Sequence, residues 1–121
     1  MEFQDNVPIY LQIEKYLYRQ IALGNIKAGE KIPSVRQLAV ELTVNVNTVQ
    51  RALAEMNREG ILEVKRGLGS FVTTDKRLIE KKRMELVKDT IKEFLESCRQ
   101  LGLDKQEAEE VLRNYIKNDE K

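Results

Sequence analysis

Ser34-Val35-Arg36-Gln37-Leu38-Ala39-Val40-Glu41-Leu42-Thr43-Val44-Asn45-Val46-Asn47-Thr48-Val49-Gln50-Arg51-Ala52-Leu53 is the stretch on which the architecture of this chain turns. Ser34 and Gln37 have capping-box spacing, in which the hydroxyl accepts from a free helical N–H and the amide reaches back. Val35, Leu38, Ala39 and Leu42 then fall on one face of a short helix of about two turns. Thr43-Val44-Asn45 breaks it, and Asn45 is a favoured N-cap for a second helix over about 46–59. Val49, Ala52, Leu53 and Met56 form the apolar face of that second helix, and Gly60 ends it.

Upstream, Pro8 suits a first helical position. Ile9, Ile13, Tyr16, Leu17 and Ile21 recur at helical spacing after it, and Gly24 is a stop. Residues 24–31 read as a turn-rich connector. Downstream, Ile61 to Lys65 and Ser70 to Thr73 are β-prone runs around Arg66-Gly67-Leu68-Gly69, which reads as a hairpin with a four-residue loop. The remaining residues, 76–121, are helical in pattern. Val87, Ile91, Phe94, Cys98 and Leu101 make a heptad-like seam over a helix at 78–101, with Leu95 widening it. Asp104 and Glu107 have capping-box spacing before a last helix, whose apolar face is Ala108, Val111, Leu112, Tyr115 and Ile116.

The chain has 121 residues, 34% of them charged, and a formal net charge of +1. Residues 1–75 hold nine basic and nine acidic groups, so charge placement, not amount, must carry any argument for nucleic acid. There is no histidine and a single cysteine, Cys98. An intrachain disulfide and a thiolate zinc cluster are excluded, and no cofactor or metal is expected. No uninterrupted apolar run exceeds three residues, far short of the roughly 20 a membrane-spanning helix needs. The expectation is a cytoplasmic protein with no membrane partner. No glycine-rich phosphate loop, paired-carboxylate pocket or activated nucleophile is visible, so catalysis is not expected.

The order helix, short helix, tight turn, helix, hairpin describes a winged helix-turn-helix. The fold class expected is mainly α with a small β-hairpin wing (α+β): a DNA-binding domain over 7–75, then a helical dimerisation tail of two helices over 76–121. A major groove about 12 Å wide admits one helix. The start of the second helix, Asn45-Val46-Asn47-Thr48 with Gln50 and Arg51, offers side chains that pair with adenine, guanine or phosphate. Ser34 and Arg36 lie at the start of the supporting helix, and Lys65, Arg66 and Gly67 at the hairpin tip. Singly, these residues read equally well as caps, a solvated helix arginine and a soluble loop; their order within one short stretch favours a DNA surface. A winged helix used for protein interaction or assembly, without DNA specificity, is the alternative.

Residues 24–73 resemble the DNA-binding domain of the GntR family of bacterial transcription regulators. The resembling residues run from Gly24-Asn25-Ile26 and Gly29 through Ile32-Pro33-Ser34-Val35-Arg36-Gln37-Leu38-Ala39 and Val44 to Leu53. They continue with Glu59-Gly60-Ile61-Leu62 and Arg66-Gly67-Leu68-Gly69-Ser70-Phe71-Val72. The resemblance implies DNA contacts from Ser34, Arg36, Asn45, Val46, Asn47, Thr48, Gln50, Arg51, Lys65, Arg66 and Gly67. Many members carry arginine where Val46 stands and a basic residue where Gln50 stands, so their base preference does not transfer. The short tail is similar to that of the YtrA-like branch, which implies a homodimer. Its expected contacts are Val87, Ile91, Phe94, Leu95, Cys98, Leu101, Val111, Leu112 and Tyr115. The resemblance also implies repression of a neighbouring operon, often one for a membrane transporter. The tail is expected to be too short for a private cavity of several hundred Å³, which drug-sized ligands usually require. A small-molecule effector is then accommodated only between protomers or between tail and DNA-binding domain. Lys76, Arg77, Lys81, Lys82 and Arg83 are candidates for added phosphate contacts.

Overall fold

A computed structural model describes residues 3–119. The elements are α1 (Ile9–Ala22), α2 (Val35–Leu42), α3 (Val46–Arg58), β1 (Leu62–Lys65), β2 (Gly69–Val72), α4 (Lys76–Gln100) and α5 (Lys105–Asp119). The chain divides into two compact units, one through Arg83 and one from Met84 onward.

The first unit is built around α3, against which α1, α2 and β1 pack. All four residues expected on the inner face of α3 are buried: Val49, Ala52, Leu53 and Met56. On α2 the buried set is Leu38, Ala39 and Leu42, with Val35 half-buried at the helix start. On α1 the inner face is rotated from the expected one. Ile13, Glu14, Leu17, Tyr18 and Ile21 are buried, whereas Ile9 is exposed and Tyr16 half-buried. Apolar periodicity missed this face because one of its members is an acid. Pro8 stands at the N-cap rather than the first helical position, its carbonyl accepting from Leu11 N.

Four helices end alike. Asn25 N donates to Gln20 O, Val44 N to Ala39 O, Ile61 N to Met56 O, and Leu103 N to Cys98 O. Each is the six-to-one bond of a Schellman motif, which needs a left-handed residue just past the helix. Gly24, Gly60 and Gly102 supply it in three cases. The fourth is Thr43, with φ of 56°, at the turn between α2 and α3.

The hairpin pairs Leu62 with Val72 and Lys65 with Gly69, so the connecting loop is three residues, Arg66 to Leu68, not four. The connector before α2 is more ordered than its composition suggests. Gly29 N donates to Val72 O, Val72 N to Glu30 O and Ile32 N to Ser70 O, with Lys31 bridged to Phe71. These bonds give β2 a partner on its second edge. An isolated hairpin is marginal in water, and the connector relieves that weakness.

Asp75 caps α4, its carboxylate accepting from Arg77 N at 3.0 Å and Leu78 N at 3.3 Å. The helix therefore starts at Lys76, two residues before the position expected. The second unit comprises the rest of α4, a turn and α5. Asp104 and Glu107 form the expected reciprocal cap, at 3.1 and 2.8 Å. This unit holds an open groove of about 450 Å³ lined by Lys92, Leu95, Glu96, Arg99, Leu103, Asp104 and Lys105. The groove is open to solvent, lying where the turn before α5 leaves room beside α4. Among the described residues no helix is long and apolar enough to cross a membrane.

Candidate nucleic-acid interface

The helix-turn-helix half of the site is set by its caps. Ser34 Oγ accepts from Gln37 N at 3.1 Å while Gln37 Oε1 accepts from Ser34 N at 2.8 Å. The Ser34 hydroxyl is used as an acceptor and keeps its proton to donate outward. Asn45 Oδ1 accepts from Asn47 N at 2.7 Å, fixing the start of α3 and leaving the Asn45 amide NH2 as a donor.

Beyond the caps, the period of α3 sorts its side chains. Val49, Ala52, Leu53 and Met56 turn inward, so Asn47, Gln50, Arg51 and Ala54 point outward, and all four are exposed. Val46 is 39% exposed and Thr48 half-buried. Arg36 is exposed on the first turn of α2, and Lys65, Arg66 and Gly67 are exposed at the hairpin tip. Gly67 has φ of 76°, which lets the loop close without strain.

Pairing resolves the puzzle of a neutral charge balance. Arg36, Arg51, Lys65 and Arg66 form no ion pair with a carboxylate among the described residues. Arg58, the last residue of α3, is instead paired with Glu55, and Lys82 lies 2.5 Å from Glu59. Along α3 the arginine without a carboxylate partner, Arg51, stands in the first two turns, whereas Arg58 in the last is held by Glu55. A cation without a carboxylate partner meets phosphate without breaking an ion pair first, a modest advantage at an exposed position.

Two of the basic residues expected to help after the wing are engaged inside the protein. Lys82 lies over the Tyr18 ring at 4.7 Å from its centroid and pairs with Glu59. Arg83 pairs with Glu80 at 2.7 Å. Beside them Glu14 is only 7% exposed. Burial, then the neighbouring Glu59 and Glu55 carboxylates, push its pKa up to about 7, against the opposing pull of Lys82 and Arg58.

Sequence reasoning missed Lys31 and Tyr10. The stem of Lys31 lies across the wing so closely that a Cβ at Gly69 would sit 2.8 Å from its Cε. That places a further exposed cation beside Lys65, whose Nζ is 4.5 Å from the Phe71 centroid. Lys31 reaches the wing only through pairing across the fold, which local periodicity does not signal. Tyr10 touches Arg51 across the α1–α3 interface, and its outward helical position was the only available hint. Among the described residues no group of three or more His, Cys, Asp or Glu could hold a metal ion.

The profile of the bacterial regulatory proteins of the gntR family matches residues 9–72. The chain is 34% identical over 114 residues to the uncharacterized HTH-type transcriptional regulator YhcF of Bacillus subtilis (strain 168), covering 94% of each. It is 32% identical over 111 residues to the HTH-type transcriptional repressor YtrA of the same organism, covering 91% of this chain and 85% of YtrA. Among solved structures, it is similar to a GntR family transcriptional regulator from Listeria monocytogenes, with TM-score 0.82, 38% identity and 98% and 100% of the two chains covered. The DNA-binding domain of AraR in complex with operator ORX1 aligns with TM-score 0.56 and 27% identity, over 60% of this chain and 93% of that one. These relatives are regulators of transcription, not enzymes. With its winged helix-turn-helix and the match across residues 9–72, the chain belongs to the GntR family of bacterial transcriptional regulators.

Proposed function

We propose that this regulator is a dimeric repressor that binds a palindromic operator. Ser34, Arg36, Asn45, Val46, Asn47, Thr48, Gln50, Arg51, Lys65, Arg66 and Gly67 form the DNA surface of each protomer. The observation that carries the reading is the exposed start of α3, where capped backbone, amides and an arginine without a carboxylate partner share one face. Asn47 and Gln50 can pair with adenine, Arg51 with guanine, and Val46 with a thymine methyl. Arg36, Lys65 and Arg66 serve phosphates, which fix register without reading sequence.

The second half of the proposal is the dimer. In the second unit only Cys98 and Ala108 are buried among the described residues, while Val87, Ile91, Val111, Leu112, Tyr115 and Ile116 are exposed. Phe94 and Leu95 are half-buried, and Leu101, at the end of α4, is 81% exposed. An open apolar face on a two-helix unit is what a two-fold interface requires. Two recognition helices then meet half-sites about 34 Å apart, one duplex turn. The resemblance to YtrA, a repressor, supports the sign of regulation, and an adjacent transporter operon is the target we propose.

The test begins with sequencing the DNA fragments that the protein retains from its own genome. The retained site should be palindromic, bound far more tightly than random duplex, and weakened steeply by salt. An Arg36→Ala, Thr48→Ala double variant should remain folded and bind the retained site markedly more weakly than the parent. Equal binding to retained and random DNA would transfer the fold to a protein-interaction role.

A further inference from the structure

The Arg51 guanidinium lies 3.9 Å from the centroid of the Tyr10 ring. Tyr10 stands in the first turn of α1, is half-buried, and reaches across the packed α1–α3 interface. Arg51 is exposed on the outward face of α3 and has neither a hydrogen-bond nor an ion-pair partner among the described residues. The contrast with Arg58, Arg83, Arg99 and Arg113 is sharp, because each of those is held by a glutamate on its own helix. A carboxylate would occupy the in-plane N–H donors. A ring stacked on the flat face leaves all of them free.

We propose that Tyr10 is a positioning residue for sequence readout: its ring holds the Arg51 guanidinium on its face, so that the donor edge meets guanine O6 and N7 already ordered. An exposed arginine loses rotamer freedom when it binds, and a side chain stacked beforehand loses less. The stack also explains why arginine suits this position better than lysine. An ammonium carries the same charge but has no planar fork to match a guanine edge. The inference rests on the DNA-binding reading above.

The probe is the duplex that the parent protein enriches from a random-sequence pool. Its affinity is measured for the parent, Tyr10→Leu, Tyr10→Phe, Arg51→Ala and the Tyr10→Leu, Arg51→Ala double variant, with thermal melting alongside. Tyr10→Leu should weaken binding roughly two- to fivefold, the scale of an exposed cation–π contact. It should relax preference at one G·C pair and leave the salt slope unchanged. Tyr10→Phe should bind like the parent, and Tyr10→Leu should cost nothing further once Arg51 is alanine. If Tyr10→Leu melts too low to assay, Arg51→Lys takes its place: it should keep affinity for random duplex and lose the G·C preference. An additive double variant, or a Tyr10→Phe loss as large as that of Tyr10→Leu, overturns the proposal and assigns the ring or its hydroxyl a separate role. Failure of the parent to enrich any sequence would instead defeat the DNA-binding reading itself.

Discussion

Thr43 carries the strain of the helix-turn-helix. Its φ of 56° is the left-handed conformation that a β-branched residue adopts at a cost of about 1–2 kcal/mol. Its side chain is exposed and makes no hydrogen bond among the described residues, so nothing is lost with it. Thr43→Gly removes the strain and gives back part of the gain to the greater freedom of the unfolded chain. A net stabilisation of about 0.5–1 kcal/mol is expected in urea unfolding. Glu14 makes a second prediction. Its pKa is raised in the folded state from 4.5 to about 7, so the protonated form is the one that fits the fold. The stabilising contribution is complete below pH 4.5 and is lost as pH rises toward 7, because over that window the folded chain holds a proton that the unfolded chain has released. Glu14→Gln should therefore be more stable than the parent by about 2–3 kcal/mol at pH 8 and equal to it near pH 4.5. Parallel melting curves that stay superimposed at both pH values would refute the assignment.

Among the elements, those governed by local rules were legible in advance. The α2 capping box, the Asn45 cap, the four buried residues of α3 and the Asp104–Glu107 cap follow from spacings of three and four residues. What was not legible came from contacts between distant segments. The inner face of α1 includes Glu14 because α3 and the start of α4 bring cations and acids against it. The connector lends Gly29 to Ile32 to the wing because β2 has a free edge to offer. Lys82 turns inward because Glu59 and Tyr18 await it. Two glycines separate the local from the distant effect. Gly24 and Gly60 close equivalent Schellman motifs at φ of 79° and 83°. A Cβ at Gly24 would meet nothing within 4 Å, whereas at Gly60 it would meet Leu78 Cδ2, on the first turn of α4, at 3.2 Å. Alanine at either position should cost about 1–2 kcal/mol from the backbone alone. Gly60→Ala should cost more, and the excess should vanish when Leu78 is also alanine. Equal losses in chemical denaturation would mean that the start of α4 yields freely.

At the scale of the whole molecule, the second unit is the part whose stability a single chain does not explain. Among its described residues it buries two small side chains, Cys98 and Ala108, while large apolar groups on both α4 and α5 remain open to water. Fully burying one such side chain contributes about 1.5–3 kcal/mol, so a partner that covers several of them brings more stabilisation than the unit's own interior. A second copy meets the requirement by symmetry, since the same face serves both protomers. In the proposed dimer, pairing of protomers would raise DNA affinity without adding any DNA contact, because the second half-site would bind at the effective concentration set by the first. An Ile91→Glu, Leu112→Glu variant places a carboxylate on each helix of the open face. Sedimentation should show the parent as a dimer and the variant as a monomer with its first unit still folded. Affinity for the full palindrome should fall by roughly 10²–10⁴-fold, the ordinary range for loss of a linked second site. Affinity for an isolated half-site should not change, because all the side chains proposed to touch DNA lie in the first unit. A variant that sediments as the parent does while losing half-site binding would place the DNA surface, rather than the interface, on these two helices.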